Sequence, residues 1–192
     1  MSSKRLAVVL HGVKSLNQVP GLEAAGRDVE WRCAPTFDAL SEMLPGAEVL
    51  LGWDFRASEL RAAWGQADRL RWIQWSGAGV DALLFPELVS SHVVLTNARG
   101  VFDRAMAESV LGFMLSFAKG FTETFRAQAE RRWNYRWTEQ LMGRDVLIVG
   151  VGSIGREIAR LLSAAGLKVQ GVGRSARTGD ADFGIISAVS DL

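Results

Sequence analysis

A single cysteine, Cys33, among 192 residues leaves no partner for an internal disulfide and no set of thiolates for a zinc site. Cys33 reads as a buried apolar residue, and no metal site is expected. Charge of one sign is equally lacking. Lys and Arg number 22 against 21 Asp and Glu, mixed along the chain, which removes the electrostatic footprint expected for nucleic acid or an anionic membrane. The longest apolar runs are far too short to span a bilayer. The N-terminal MSSKRLAVVL has basic residues but no long apolar core before a cleavage site, so it does not read as a signal peptide, and a cytoplasmic protein is expected. No repeat at a fixed period and no low-complexity segment is visible. Histidine is scarce too: His11 and His92 are the only imidazoles available to chemistry near neutral pH. What these absences leave is a globular chain, long enough for one large domain or two small ones.

What is present centres on DVLIVGVGSIGREIARLLSAAGLKVQGVGR, residues 145–174. Asp145 to Val149 is a short apolar run suited to a buried parallel strand, and Gly150, Gly152 and Gly155 follow in G-x-G-x-x-G spacing. Ile154, Ile158, Leu161, Leu162 and Ala165 form one apolar stripe of a helix that Gly166 terminates, and Lys168 to Val172 makes a second strand. In such a unit Gly150 permits the tight turn, Gly152 lets the backbone approach a pyrophosphate, and Gly155 lets helix and strand pack closely. Amides near Ser153 and Ile154 would face the phosphates, because a helix N-terminus carries unpaired N–H groups and partial positive charge. The fingerprint alone is weak evidence, but strand, turn, helix and strand in order point to dinucleotide binding.

Upstream, Leu6 to Leu10, Val29 to Cys33, Val49 to Leu51, Arg71 to Gln74 and Val93 to Thr96 are five candidate strands. Their spacings allow crossovers, the pattern of an α/β parallel sheet. Asp38 to Leu44 and Ser58 to Trp64 read as helices, with Asp38 and Ser58 as caps. From Arg104 to about Arg132 runs the longest helical pattern. Its stripe of Met106, Val110, Phe113, Met114, Phe117 and Phe121 is widened by Ala107, Leu111, Leu115 and Ala118, so its first half is expected to be covered on most sides, between two domains. Trp133, Tyr135 and Trp137 follow Arg-rich sequence, and either a subunit interface or aromatics tucked against their own domain fits.

The stretch WIQWSGAGVD, residues 72–81, ends the fourth strand, where ligands bind in open α/β sheets. Ser76, Gly77, Ala78 and Gly79 either present successive amides to a carboxylate or form an ordinary glycine loop. Trp53 and Phe55, after the third strand, either line an apolar substrate pocket or serve as core and rim aromatics.

The order SGAGVD, then LTNARGVFDRAMAESVLGFML, then LMGRDVLIVGVGSIGREIARLL resembles the D-2-hydroxyacid dehydrogenase family, nearer its hydroxypyruvate and glyoxylate reductase members than formate dehydrogenase. The resemblance covers about Leu70 to Arg177. It implies a flavodoxin-like substrate domain over residues 1–100 and a nucleotide-binding Rossmann domain, incomplete, over 101–192, beginning with the long helix. It implies further that the amides of Gly77, Ala78 and Gly79 hold the carboxylate of a small 2-oxo or 2-hydroxy acid. Met106 would then lie near the nicotinamide, though one more core position of the helix fits it as well. A homodimer is the family habit.

The second strand ends in Gly173, where an NAD-specific site ends in an acid that binds the ribose hydroxyls, and Arg174, Ser175 and Arg177 follow. A guanidinium pairs with a 2′-phosphate that a carboxylate would repel, so NADP is expected over NAD. In family members the catalytic Arg, Glu and His come beyond the point matching Leu192, so residues 1–192 alone are expected to be inactive. His11, at the end of the first strand, is a weak candidate proton donor, and His92 a weaker one. Two other readings stay open: a non-catalytic, corepressor-like dinucleotide-binding relative, and another Rossmann enzyme acting on an amino or keto acid.

Overall fold

In six-residue β1, Leu6–His11, every residue after the first is buried, as suits a strand covered on both faces. The computed structural model describes residues 5–54 and 59–192, and the chain divides into two units, Met1–Arg99 and Gly100–Leu192. In the first unit β1 pairs in parallel with β2 (Val29–Ala34) and β3 (Val49–Gly52), and β4 (Trp72–Trp75) and β5 (Val94–Asn97) extend the sheet beyond β3. The order β2-β1-β3-β4-β5 is the flavodoxin-like one, with its topological switch between β1 and β3. Side-chain alternation divides the apolar residues between the two faces. Val9, Leu50, Ile73 and Trp75 meet Leu40 and Leu44 on one face, while Leu10 joins Val13, Val19, Trp31 and Cys33 on the other. Cys33 is half-buried, a free thiol against this second cluster.

Each expected strand of this unit is present, its C-terminal end lying one residue further on. The helices depart more. Helix α1, Phe37–Met43, is capped by Thr36, whose hydroxyl accepts from the Ala39 amide at 3.3 Å, so Asp38 sits in the first turn and is not the cap. A threonine one place before an apolar residue satisfies an orphan N–H directly, whereas an acid one turn in acts only through its charge. Helix α2 is a single turn, Leu60–Ala63, and the predicted cap Ser58 lies outside the described residues. A further short helix, α3, spans Pro86–Val89.

The second unit opens with α4, Asp103–Lys119, and α5, Phe121–Ala129. The expected single helix is broken between them. Gly120 takes a left-handed φ of 61° and donates its amide to Ser116 and Phe117, while the Arg136 guanidinium donates to the Lys119 and Gly120 carbonyls and to the Thr124 hydroxyl. Helix α4 is covered on one face only. Ala107, Val110, Leu111 and Met114 are buried or half-buried, whereas Phe113 and Phe117 stand 68% and 86% exposed, so the expectation of cover on most sides does not hold within this unit. Trp133, Tyr135 and Trp137 are exposed as well, which removes the tucked-in alternative.

Strand β6 (Asp145–Val149), helix α6 (Ser153–Ala164) and strand β7 (Lys168–Gly173) form a βαβ unit with parallel pairing. Two strands that the sequence reading missed follow: β8 (Arg177–Asp180) and β9 (Gly184–Ala188) form a hairpin whose β9 lies parallel to β7, giving the order β6-β7-β9-β8. Ile148, Ala159, Leu162, Leu167, Phe183 and Ile186 make the core, against which Val110, Leu111 and Met114 of α4 pack.

Candidate functional site

Gly150 leaves β6 at φ 108°, a backbone that only glycine adopts readily, and turns the chain toward α6. Gly152 caps that helix without a side-chain hydrogen bond, and the first turn contains no acid. The amides of Ser153, Ile154 and Gly155 therefore have no intrahelical acceptor and carry the positive end of the helix dipole. Gly155 is where helix meets turn: a Cβ there would lie 1.9 Å from the Gly150 carbonyl oxygen. The three glycines thus hold the positions that a pyrophosphate cradle needs, and the cradle fits the group the sequence implied.

An open groove of about 570 Å³ runs along this turn, lined by Val149, Gly150, Val151, Gly152, Val172, Gly173, Arg174, Ser175, Arg177 and Val189. Two guanidinium-bearing residues and no carboxylate line it. At Gly173 a Cβ would meet Val151 Cγ2 at 2.9 Å and Ile186 Cγ2 at 3.4 Å, and at Gly171 one would meet Val151 Cγ1 at 2.8 Å. Both methyls of Val151 are committed to β7 glycines, so an acid cannot enter position 173 while Val151 keeps its place.

Behind the groove lies an ion-pair network. Arg156 on α6 forks onto Asp180, Nη1 to Oδ1 at 2.9 Å and Nη2 to Oδ2 at 2.8 Å, and Nη1 also reaches Asp182 at 2.7 Å. Arg160 donates to Asp182 and Glu157, and Arg104 joins Glu157 to Glu108. Hydrogen bonds from Arg156 hold the Asp180 carboxyl far below the usual carboxylate range and lower Asp182 in the same direction, while Asp180 and Asp182 raise Arg156. Groups with depressed folded-state values add stability above the unfolded pKa of about 3.9 and lose it as pH falls through the folded values. An Asp180→Asn, Asp182→Asn variant is therefore expected to show a shallower fall in melting temperature between about pH 4.5 and 2.5 than the native chain; parallel curves would refute this.

In the first unit, His11 is 1% exposed, its Nδ1 3.2 Å from the Ala34 carbonyl and its Nε2 3.1 Å from Glu59 Oε2. Both ring nitrogens are engaged, so His11 ties strand ends together and is not a free proton donor. The Ser76 hydroxyl donates to the Gly52 and Trp53 carbonyls, joining the ends of β3 and β4. Asn97 fixes the following turn by donating to the Ala78 carbonyl at 2.7 Å, and the Ala98 amide donates to Gly77. The Gly77 and Ala78 carbonyls are thus engaged, whereas among the described residues the amides of Gly77, Ala78 and Gly79 take no acceptor. Trp53 is 38% exposed beside them in sequence register, and Phe55 lies outside the described residues.

Residues 111–190 match the family described as D-isomer specific 2-hydroxyacid dehydrogenase, NAD binding domain. That match, with the relatives that follow, supports a likeness to the D-2-hydroxyacid dehydrogenase family. Among curated relatives, a glyoxylate reductase from Korarchaeum cryptofilum is 27% identical over 109 residues, covering 54% of this chain and 33% of its own length. A D-isomer specific 2-hydroxyacid dehydrogenase family protein from Aeromonas salmonicida superposes with a TM-score of 0.82 at 30% identity, covering 99% of this chain and 60% of that one. A D-isomer specific 2-hydroxyacid dehydrogenase from Xanthobacter autotrophicus, crystallised with NADPH and MES, gives a TM-score of 0.69 at 26% identity, covering 96% of this chain and 57% of that one. The chain therefore spans less than two thirds of the length of these dehydrogenases.

Within the dehydrogenase frame, the structure gathers Gly150, Gly152, Gly173, Arg174, Ser175 and Arg177 around one groove and sets Ser153, Ile154 and Gly155 in the adjoining helix turn. Met106 is not brought to it: the side chain is 46% exposed on α4, neither lining the groove nor sharing the core position that was its alternative. Val151, Arg156 and Asp180 were missed. The Gly179, Asp180, Asp182 and Gly184 cluster before an apolar run was a legible hairpin signal, but a partner for Arg156 was not legible without that hairpin. Among the described residues no cluster of His, Cys, Asp and Glu is placed to hold a metal ion, and no helix is long and apolar enough to cross a membrane.

Proposed function

We propose that residues 1–100 form the substrate domain, and residues 101–192 the start of the nucleotide domain, of a cytoplasmic NADPH-dependent reductase of a small 2-oxo acid of the glyoxylate or hydroxypyruvate type. One observation carries the cofactor choice: the groove at the end of β7 is lined by Arg174 and Arg177 and by no carboxylate. Bound there, the reduced dinucleotide supplies a hydride to the substrate's C2. The chain's own part is to hold it. Amides of Ser153 and Ile154 take the pyrophosphate, and Arg174, Ser175 and Arg177 take the 2′-phosphate that an acid at position 173 would repel. In the first unit the unengaged amides of Gly77, Ala78 and Gly79 suit a substrate carboxylate, with Trp53 as an apolar wall.

Delivery of the hydride leaves an alkoxide that needs a proton, and neither histidine suits: His11 is engaged at both nitrogens, and His92 is exposed before β5, away from the carboxyl ends of the strands. Residues 1–192 alone are accordingly proposed to be inactive. The same observation favours a second reading, a non-catalytic relative whose dinucleotide binding governs association. The exposed Phe113, Phe117, Phe125, Trp133 and Trp137 supply a surface for a second copy, which supports a homodimer in either reading. Assay of glyoxylate and hydroxypyruvate reduction by the intact protein and by residues 1–192 tests this, with sedimentation mass taken on the same preparation. Reduction with NADPH preferred, by the intact dimer alone, is expected. Better efficiency with NADH, turnover by residues 1–192, or a monomer mass overturns the corresponding part, and binding of NADPH with no turnover by the intact protein selects the second reading.

A further inference from the structure

We propose that Asp180 is a positioning residue for phosphate recognition, holding the Arg177 guanidinium at the groove so that its open edge meets a phosphomonoester. The inference rests on the reading of Arg174 and Arg177 as ligands of the 2′-phosphate. Arg177 begins β8, lines the groove and donates Nε to Asp180 Oδ2 at 3.4 Å. Among the described residues its two Nη groups have no partner, and the side chain is 43% exposed, so the fork that suits a phosphate is unspent.

The backbone shows why the two side chains meet. Residues three apart on a regular strand point to opposite faces. Between Thr178 and Asp180 the register of β8 on β9 shifts, with Gly179 at φ 73°, and this irregularity returns Asp180 to the side of Arg177.

A carboxylate so near a phosphate site would ordinarily oppose binding. Here Asp180 is 7% exposed and taken up by the Arg156 fork, and Asp182, next along, is shared by Arg156 and Arg160. Arg156 and Arg160 thus share Asp180, Asp182 and Glu157 among them, while the groove lining itself carries Arg174 and Arg177 and no carboxylate. Asp180 can then orient Arg177 while its own carboxylate is forked by Arg156. An arginine fixed beforehand loses less rotamer freedom when phosphate arrives, an advantage of about 3- to 10-fold in affinity.

The test uses the intact protein and calorimetric titration with 2′,5′-ADP and with 5′-AMP, after a thermal melt for each variant. Asp180→Asn is expected to weaken 2′,5′-ADP about 3- to 10-fold and 5′-AMP less than about 2-fold. Combined with Arg177→Ala, it is expected to add nothing beyond Arg177→Ala alone. Asp180→Glu, which keeps the charge but moves the carboxylate away from the Arg177 Nε–H, is expected to show a similar selective loss, and carries the test if Asp180→Asn does not fold. Equal losses for both ligands, additive losses in the double variant, or native affinity in Asp180→Glu overturn the inference. If Arg177→Ala weakens 2′,5′-ADP and Asp180→Asn does not, positioning fails while the 2′-phosphate reading stands; if neither Arg174→Ala nor Arg177→Ala affects 2′,5′-ADP, that reading itself fails.

Discussion

Alanine in place of Gly155 is expected to abolish measurable dinucleotide binding and to destabilise the second unit by about 3 kcal/mol, the upper part of the range for forcing a methyl into a packed site. The added Cβ would stand 1.9 Å from the Gly150 carbonyl oxygen and 3.1 Å from its carbon. Both are backbone atoms of the turn itself, so no side chain can swing aside to make room. Either α6 moves away from β6, which strips Ala159 and Leu162 from their contacts with Ile148, or the turn at Gly150 is rebuilt. Each outcome displaces the amides of Ser153 and Ile154 from their common aim, and a shift of about 1 Å is enough to lose aligned hydrogen bonds to a pyrophosphate. Titration with NADPH and a thermal melt of the variant check both effects. A native melting temperature with native affinity would mean that the helix and turn do not approach as closely as described.

Loss of Arg174 and Arg177 together is expected to raise the KM for NADPH about 100-fold in the intact protein while that for NADH changes less than about 3-fold. Hydrogen bonds to charged groups contribute about 1.5–3 kcal/mol each in protected settings. Both arginines are exposed, so solvent screening reduces the pair to about 3 kcal/mol together, which corresponds to that factor. The asymmetry is the decisive part, because only the phosphorylated ribose presents the dianion that the guanidiniums face. Equal effects on both cofactors would assign the arginines to the pyrophosphate or to general electrostatics.

The βαβ unit was legible because its signals are local. Gly150, Gly152 and Gly155 fall within six residues, and the stripe of α6 repeats on a period that needs no tertiary knowledge. The five strands of the first unit were legible for the same reason. What failed depended on partners distant in sequence or on a single backbone choice. Lys119 followed by Gly120 is a C-cap signal, but the apolar stripe running on to Phe121 outweighed it, and the Arg136 guanidinium that secures the left-handed Gly120 comes sixteen residues later. His11 looked free at a strand end because Glu59, which takes its Nε2, is 48 residues away. Val151 occupies the variable place between two fingerprint glycines, and its grip on Gly171 and Gly173 emerges only when β7 is laid against the turn.

That grip bears on how cofactor preference changes over generations. Exchange of a glycine for an acid at position 173 is a short mutational step, yet the added Cβ would meet Val151 Cγ2 at 2.9 Å, so that side chain has to shift before a carboxylate can sit at the end of β7. The effect of Gly173→Asp is therefore expected to depend on the residue at position 151, a coupling that NADH and NADPH affinities of Gly173→Asp with and without Val151→Ala would show.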